Sequence, residues 1–293
     1  MSTNSFAQPT FSAENYRAYR PRYPDRLYTD ILEYHDSHGG KRGSALDLGC
    51  GPGTVTESLT AFFDKVVGVD PGQGMVDVAT KLAKTLTLEG KSLEYVVGSA
   101  EDIPASDSSV DLITSGTSAH WFPANWWQSA ARVLRPGGTV AIFTYGRPFV
   151  PSHVHPEAAK ITERISSWRS DPDIAPHIQE GNKVAEHLFD DLPLPDPNSG
   201  EWGGVERRVW NRDGHDENQE PYMTAKATLS ALKASSATSG PTYRWRQANP
   251  DKVGTDQDPL ERHTKELKEI SGWTDDQVVE IGMAFVLIMV KRL

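Results

Sequence analysis

The chain has 293 residues, with 30 basic against 40 acidic and a formal net charge of −10. That is enough for one large α/β core with an accessory region, and it is the wrong sign for a surface that tracks phosphates, so nucleic acid is not an expected partner. The single cysteine, Cys50, fits a reducing, cytoplasmic setting. The longest apolar run, 281–290, is about half of the ~20 residues a bilayer span needs, and the N-terminus has no signal-peptide pattern.

Residues 1–12 carry no periodicity and are expected to be loosely attached. Next, Tyr16-Arg17-Ala18-Tyr19-Arg20-Pro21-Arg22-Tyr23-Pro24 gathers tyrosines and arginines around two helix-breaking prolines. This segment either holds Tyr16, Tyr19 and Arg20 near the mouth of the core or lies on the surface with snorkelling arginines. A short amphipathic helix is expected over 27–34.

The chain then reaches Ala45-Leu46-Asp47-Leu48-Gly49-Cys50-Gly51-Pro52-Gly53, an apolar run that stops in alternating glycines. Such a turn lets a ligand approach the main chain. A helix from Val55 and a second apolar strand, Lys65–Asp70, follow. Asp70 lies 17 residues beyond Gly53, the interval at which an acidic side chain on the next strand tip reaches the hydroxyls of a ribose. Pro71–Met75 turns into a helix expected to run to about Leu86, and 93–98 is a third strand. The loop Ser99-Ala100-Glu101-Asp102 either edges a purine ring or caps the next turn. Further strands are predicted at 110–115 and 139–144, separated by a helix over 126–134 that Arg135-Pro136-Gly137-Gly138 is expected to stop. Strand and helix alternate throughout, which predicts parallel strands with ligands at their carboxyl ends.

Beyond Gly146 the alternation ends. Helices are predicted at 156–170, 182–189, 223–234 and 260–270, a strand at 202–210, and a last buried strand at 282–291. The expected division is an N-terminal cap segment (1–40), a cofactor-binding core (41–150), a lid or substrate region inserted in the core (151–250), and a C-terminal helix with the last core strand (251–293).

Four segments stand in the order and spacing of class I S-adenosylmethionine-dependent methyltransferases, and the chain resembles that family: Leu46–Gly53, Gly68-Val69-Asp70, Gly98–Pro104 and Arg132–Gly138. The Tyr-x-x-Tyr-Arg-Pro-x-Tyr-Pro segment at 16–24 and His120-Trp121-Phe122 are similar to the small-molecule, trans-aconitate 3-methyltransferase-like group. The resemblance implies a Rossmann-like seven-stranded sheet with an antiparallel last strand, a helical cap, and S-adenosyl-L-methionine as cofactor, leaving as S-adenosyl-L-homocysteine. It implies that Asp47, Gly49 and Gly51 hold the methionine part and Asp70 the ribose. Pro71 and Met75 would wall the adenine, Ala100 and Glu101 would edge it, and Ser115 would lie near the sulfonium. Ser99 stands where many relatives have Asp.

Methyl transfer from a sulfonium needs alignment and exclusion of water above all. A carboxylate or thiolate acceptor requires no base; for an alcohol or amine His120 is the candidate, acting either as base or as positioning residue. Trp121 is a candidate wall of the acceptor site, with Tyr16, Tyr19 and Arg20; Arg20 or Arg22 could pair with an acidic small molecule or equally with the methionine carboxylate of the cofactor. No histidine cluster has metal-ligand spacing. Carboxylate O-methylation is the favoured reading. Thiol or hydroxyl methylation, a nicotinamide-dependent oxidoreductase, and a non-catalytic cofactor-binding module are the alternatives; the oxidoreductase fits less well because Thr54 stands where its third glycine belongs.

Overall fold

Short runs rich in β-branched residues, each closed by a glycine or an acid, build the centre of the molecule. A computed structural model describes residues 5–8, 10–86 and 88–293. Two helices, α1 (Ala13–Tyr19) and α2 (Asp25–Ser37), precede the sheet. Then β1 (Ser44–Leu48), α3 (Thr54–Leu59), β2 (Lys65–Asp70), α4 (Gln73–Ala83), β3 (Ser92–Val97), β4 (Val110–Gly116), α5 (Trp126–Val133) and β5 (Leu134–Phe149) follow in order. The five strands are parallel, in the spatial order β3-β2-β1-β4-β5.

The second half adds α6 (Ala158–Ser166), α7 (Glu180–Glu186), β6 (Trp202–Trp210), β7 (Met223–Thr228), α8 (Leu229–Ala237), α9 (Gly240–Ala248), α10 (Pro259–Ser271) and β8 (Val278–Arg292). β8 runs antiparallel to β5, and on its other side pairs with β6 along 285–292 and with β7 along 278–283. Flanked on both sides, β8 is buried at every position from 281 to 290, which is why its sequence is continuously apolar rather than alternating.

Successive side chains of a strand face opposite ways, and the sheet therefore divides the core in two. Leu46, Leu48, Ile113, Val140, Ile142, Val286 and Ile288 pack with α5 on one face. On the other face Ala45, Val66, Leu112, Phe143, Phe285 and Leu287 pack with α2. A third cluster joins α6, α8 and α10 to the first part of β8 through Ile161, Leu229, Leu267 and Ile281.

The expected sheet is present as the seven-strand path β3-β2-β1-β4-β5-β8-β6 with β8 antiparallel to β5, and β8 is long enough to carry β7 beside β6 as an eighth strand. Three expectations change. The stretch 223–234 is not one helix. Met223–Thr228 pairs with β8, and only then does α8 begin, capped by Thr228 Oγ1, which accepts the Ala231 N–H at 3.1 Å. Arg135-Pro136-Gly137-Gly138 opens β5 instead of separating it from α5, with Gly137 at φ +85°. Residues 1–4 and Pro9 lie outside the described residues, but the neighbouring residues are not loose. Ser5 Oγ accepts from Arg244, and the Phe6 ring packs on Phe11, Tyr16 and Trp121. The segment 151–250, expected as an inserted lid, also supplies the two edge strands β6 and β7.

Candidate active site

At the carboxyl end of β1 the chain turns through Gly49, Gly51 and Gly53, all at positive φ (+65°, +52° and +89°). The turn is stapled to β2, since the N–H groups of Gly49 and Cys50 both donate to the Val69 carbonyl, at 2.8 and 3.1 Å. A Cβ on Gly49 would strike Ser118 and one on Gly53 would strike the Tyr95 ring, whereas Gly51 faces open space. That open face is what a main-chain cradle for a ligand requires.

Asp70 closes the cradle. Its Oδ2 accepts the Gly51 N–H at 2.9 Å and its Oδ1 accepts the Gly72 N–H at 2.8 Å. Burial raises its pKa, and those two N–H donors pull the other way. Each oxygen keeps a lone pair, so the carboxylate can still accept from a vicinal diol. Asp47 is 1% exposed and is held by two hydroxyls: Thr56 donates to Oδ2 at 2.7 Å and Thr114 to Oδ1 at 2.8 Å. Burial pushes its pKa up to about 7, against the pull of the threonines. Cys50 is buried and its thiol pKa is pushed well up by burial, which makes it unreactive.

The cradle forms one end of a cavity of about 310 Å³. Asp47, Gly49, Gly51, Asp70, Pro71, Met75, Ser99, Ala100 and Glu101 line it, as do Tyr16, Arg20 and Trp121. Residues from four separate parts of the sequence therefore line one cavity.

Three predicted residues do not reach the cavity wall. Ser115 is fully buried beneath it, its Oγ 2.6 Å from Ser118 Oγ, which in turn donates to the Leu48 carbonyl. Tyr19 is 42% exposed and lines a neighbouring cavity rather than this one. His120 sits beside Trp121 and Phe189, ring centroids 5.0 and 6.0 Å away, with a buried Nδ1 that has no partner among the described residues. Burial, and then the positive charge of Arg169, push its pKa down to about 3. A neutral imidazole this weakly basic, off the cavity wall, does not favour the base of the two alternatives for His120.

Phe6, Tyr23, Thr117, Ser118 and Tyr145 line the cavity and were not singled out as site residues by sequence reasoning. Tyr23 had a signal, since it closes the same tyrosine–proline segment as Tyr16. Thr117 and Tyr145 had none: they meet only because β4 and β5 are neighbours. Arg20 ties this end together. It donates from Nη1 to Tyr145 Oη at 3.0 Å, from Nε to Thr238 Oγ1 at 3.0 Å and from Nη2 to the Thr238 carbonyl at 3.1 Å, and its guanidinium stands 4.8 Å from the Tyr16 ring centroid. Tyr23 shares a hydrogen bond with Thr117 Oγ1 at 2.7 Å. Burial pushes the Tyr16 phenol up to about 12 and holds that of Tyr23 well above its ordinary value, so both stay protonated.

A doubly wound α/β sheet with a glycine cradle at β1, an acid at the tip of β2 and a cavity across the strand ends defines a nucleotide-cofactor enzyme of the Rossmann-like class. Residues 46–142 match the methyltransferase domain family. A probable S-adenosylmethionine-dependent methyltransferase of Saccharomyces cerevisiae is 26% identical over 92% of this chain and 91% of its own length. A methyltransferase of Pestalotiopsis fici is 30% identical, covering 66% of this chain and 61% of its own. A Dictyostelium discoideum protein named as a methyltransferase is 38% identical, covering 46% of this chain, which thus spans about half of that relative. Among solved structures, one assigned as a type II methyltransferase from Anaeromyxobacter dehalogenans superposes with a TM-score of 0.65 at 25% identity, over 93% of this chain and 97% of the other. Residues 46–142 thus carry a methyltransferase domain, and the chain over nearly its whole length is similar to S-adenosylmethionine-dependent methyltransferases. Among the described residues no helix is long and apolar enough to cross a membrane.

Proposed function

We propose that the protein transfers a methyl group from S-adenosylmethionine to a carboxylate oxygen of a small molecule. The observation that carries the acceptor class is the composition of the cavity wall around Arg20. Arg20 stands there with no carboxylate in ion-pairing distance among the described residues. Beside it are the phenols of Tyr16 and Tyr23, both held protonated. This is a place for an acceptor that arrives already ionised, and it offers no suitable group to remove a proton from one that does not.

The cofactor supplies a methyl group on a positively charged sulfur, which leaves without needing a proton. Asp70 accepts from the ribose hydroxyls, Pro71 and Met75 flank the base, and Ala100 and Glu101 border it. Arg20 holds and orients the acceptor carboxylate through charge-assisted hydrogen bonds. Phe6, Trp121 and Phe122 line the cavity with apolar surface that keeps water from the reacting atoms. The trans-aconitate-like segment at 16–24, which brings Tyr16, Arg20 and Tyr23 to the cavity, supports an acidic acceptor.

Two measurements test this. S-adenosylhomocysteine should raise the melting temperature while nicotinamide adenine dinucleotide does not, and labelled methyl should appear as an ester of a carboxylic acid. His120→Ala should keep turnover within a few fold of the native rate, with no change in its pH profile near neutrality. A failure of S-adenosylhomocysteine to protect the fold, or a profile limb that His120→Ala removes, would overturn the respective parts.

A further inference from the structure

A second cavity, of about 510 Å³, lies behind the first and shares Arg20, Pro21 and Tyr145 with it. We infer that it houses the apolar tail of the acceptor, which makes the substrate an aliphatic carboxylic acid whose head meets Arg20 and whose chain lies between β7, α8 and α10. This rests on the methyltransferase reading above.

Size is the first argument. At about 310 Å³ the first cavity is at the low end of the ~300–1,000 Å³ that ligand sites occupy. A nucleoside carrying an amino-acid chain fills it, and the body of an acceptor has to go elsewhere. The second cavity is the larger of the two and adjoins the first at Arg20, Pro21 and Tyr145, which line both.

Its chemistry is the second argument. Leu229, Leu232, Leu267, Trp273, Ile281 and Met283 are among its lining, and its surface is predominantly apolar. The charged side chains that line it are Arg20, Arg22, Lys226 and Lys233, and no Asp or Glu lines it. In a chain of net charge −10, a cavity lined by cations alone selects an anion. Lys226 pairs with Glu280 and Lys233 with Glu261, both outside the lining, whereas Arg20 and Arg22 make no ion pair among the described residues.

The partition can give way to such a ligand. The Arg20–Tyr145 hydrogen bond, 3.0 Å between Nη1 and Oη, joins two side chains, and a carboxylate is a stronger acceptor for a guanidinium than a phenol is. The acid takes the place of Tyr145 at Arg20 and its chain extends through the wall. One carboxylate oxygen then forms the new O–C bond as the S–C bond breaks, the sulfur keeps that electron pair, and a neutral ester and a neutral thioether result without any proton moving.

The test uses the full chain and straight-chain monocarboxylates of six, eight, ten and twelve carbons. Binding is measured by calorimetry with and without S-adenosylhomocysteine, and ester formation with labelled S-adenosylmethionine. Affinity should tighten about fourfold per methylene until the cavity is full. Leu232→Trp should flatten that slope while the affinity for S-adenosylhomocysteine stays native. Ala231→Phe, which intrudes on the same space with a smaller ring, should do the same and serves if the first variant misfolds. Affinity independent of chain length, no acid bound at all, or a native slope in both variants overturns the tail site. Failure to bind S-adenosylhomocysteine overturns the methyltransferase reading instead, and the chain-length slope measured without it still decides the tail site.

Discussion

Asp70 does two jobs with one carboxylate, and they are physically inseparable. It accepts the N–H groups of Gly51 and Gly72 and so shapes the cradle, and its remaining lone pairs face the cavity it lines. Asp70→Ala removes both at once and leaves two main-chain donors without an acceptor. The expected loss in affinity for S-adenosylhomocysteine is about 1.5–3 kcal/mol, the range for hydrogen bonds to a charged group. Isothermal titration measures it directly, and an unchanged dissociation constant refutes the ribose role. His120 teaches the opposite lesson. Its place in a His-Trp-Phe segment after β4 suggested chemistry, but residue type does not say which way a ring faces. Here it faces Trp121 and Phe189 in a setting that keeps it neutral.

At the scale of elements, α1 matters because it carries Tyr16 and Arg20 over the cavity while having only 7 residues, too few to hold a helix in water unaided. Arg17 fastens it. Its Nη1 donates to the Pro52 carbonyl and its Nη2 to Glu57 Oε2, each at 2.7 Å, in a largely buried ion pair. Arg17→Ala should free the strap and leave Glu57 half-buried without its cation, at a cost of about 1–3 kcal/mol. Hydrogen exchange should then quicken across 13–24 while β1 and β8 keep native protection, and affinity for S-adenosylhomocysteine should fall; uniform exchange across the chain would show that α1 is not a separate unit. The elements themselves were unequally legible. β1, β2, β4 and β8 could be read from the sequence because burial on both faces makes a strand largely apolar, with single buried polar residues such as Asp47 and Asp111 as the exceptions. β7 could not, since Met-Thr-Ala-Lys-Ala-Thr has no strand signature of its own and becomes a strand only because β8, more than 50 residues later, leaves an edge to pair with. The same holds for the site. The cradle, Asp70, Pro71 and Met75 lie within one local motif, whereas Thr117, Tyr145 and the second cavity arise from contacts between distant segments.

The molecule as a whole carries a charge it would fold more easily without. Asp47 lies at the glycine cradle, 1% exposed, held by two hydroxyls and with no ion-pair partner among the described residues. Burial lifts its pKa from 3.8 to about 7. The native state therefore holds a proton that the unfolded chain has released between about pH 4 and 7, and by linkage stability falls as pH rises through that window. The contribution is fully present below about pH 4 and is lost by about pH 8, with an upper bound of about 4 kcal/mol. Other carboxylates titrate in the same range and the chain is already acidic, so the total slope does not isolate this residue. The difference between the native protein and Asp47→Asn does, because everything else cancels. Urea titrations at pH 5, 6, 7 and 8 should show the native protein losing stability relative to the Asn variant as the pH climbs, with most of the divergence between 5 and 7. Parallel curves would mean that Asp47 folds already ionised, and that the two threonines solvate it well enough to make its burial free.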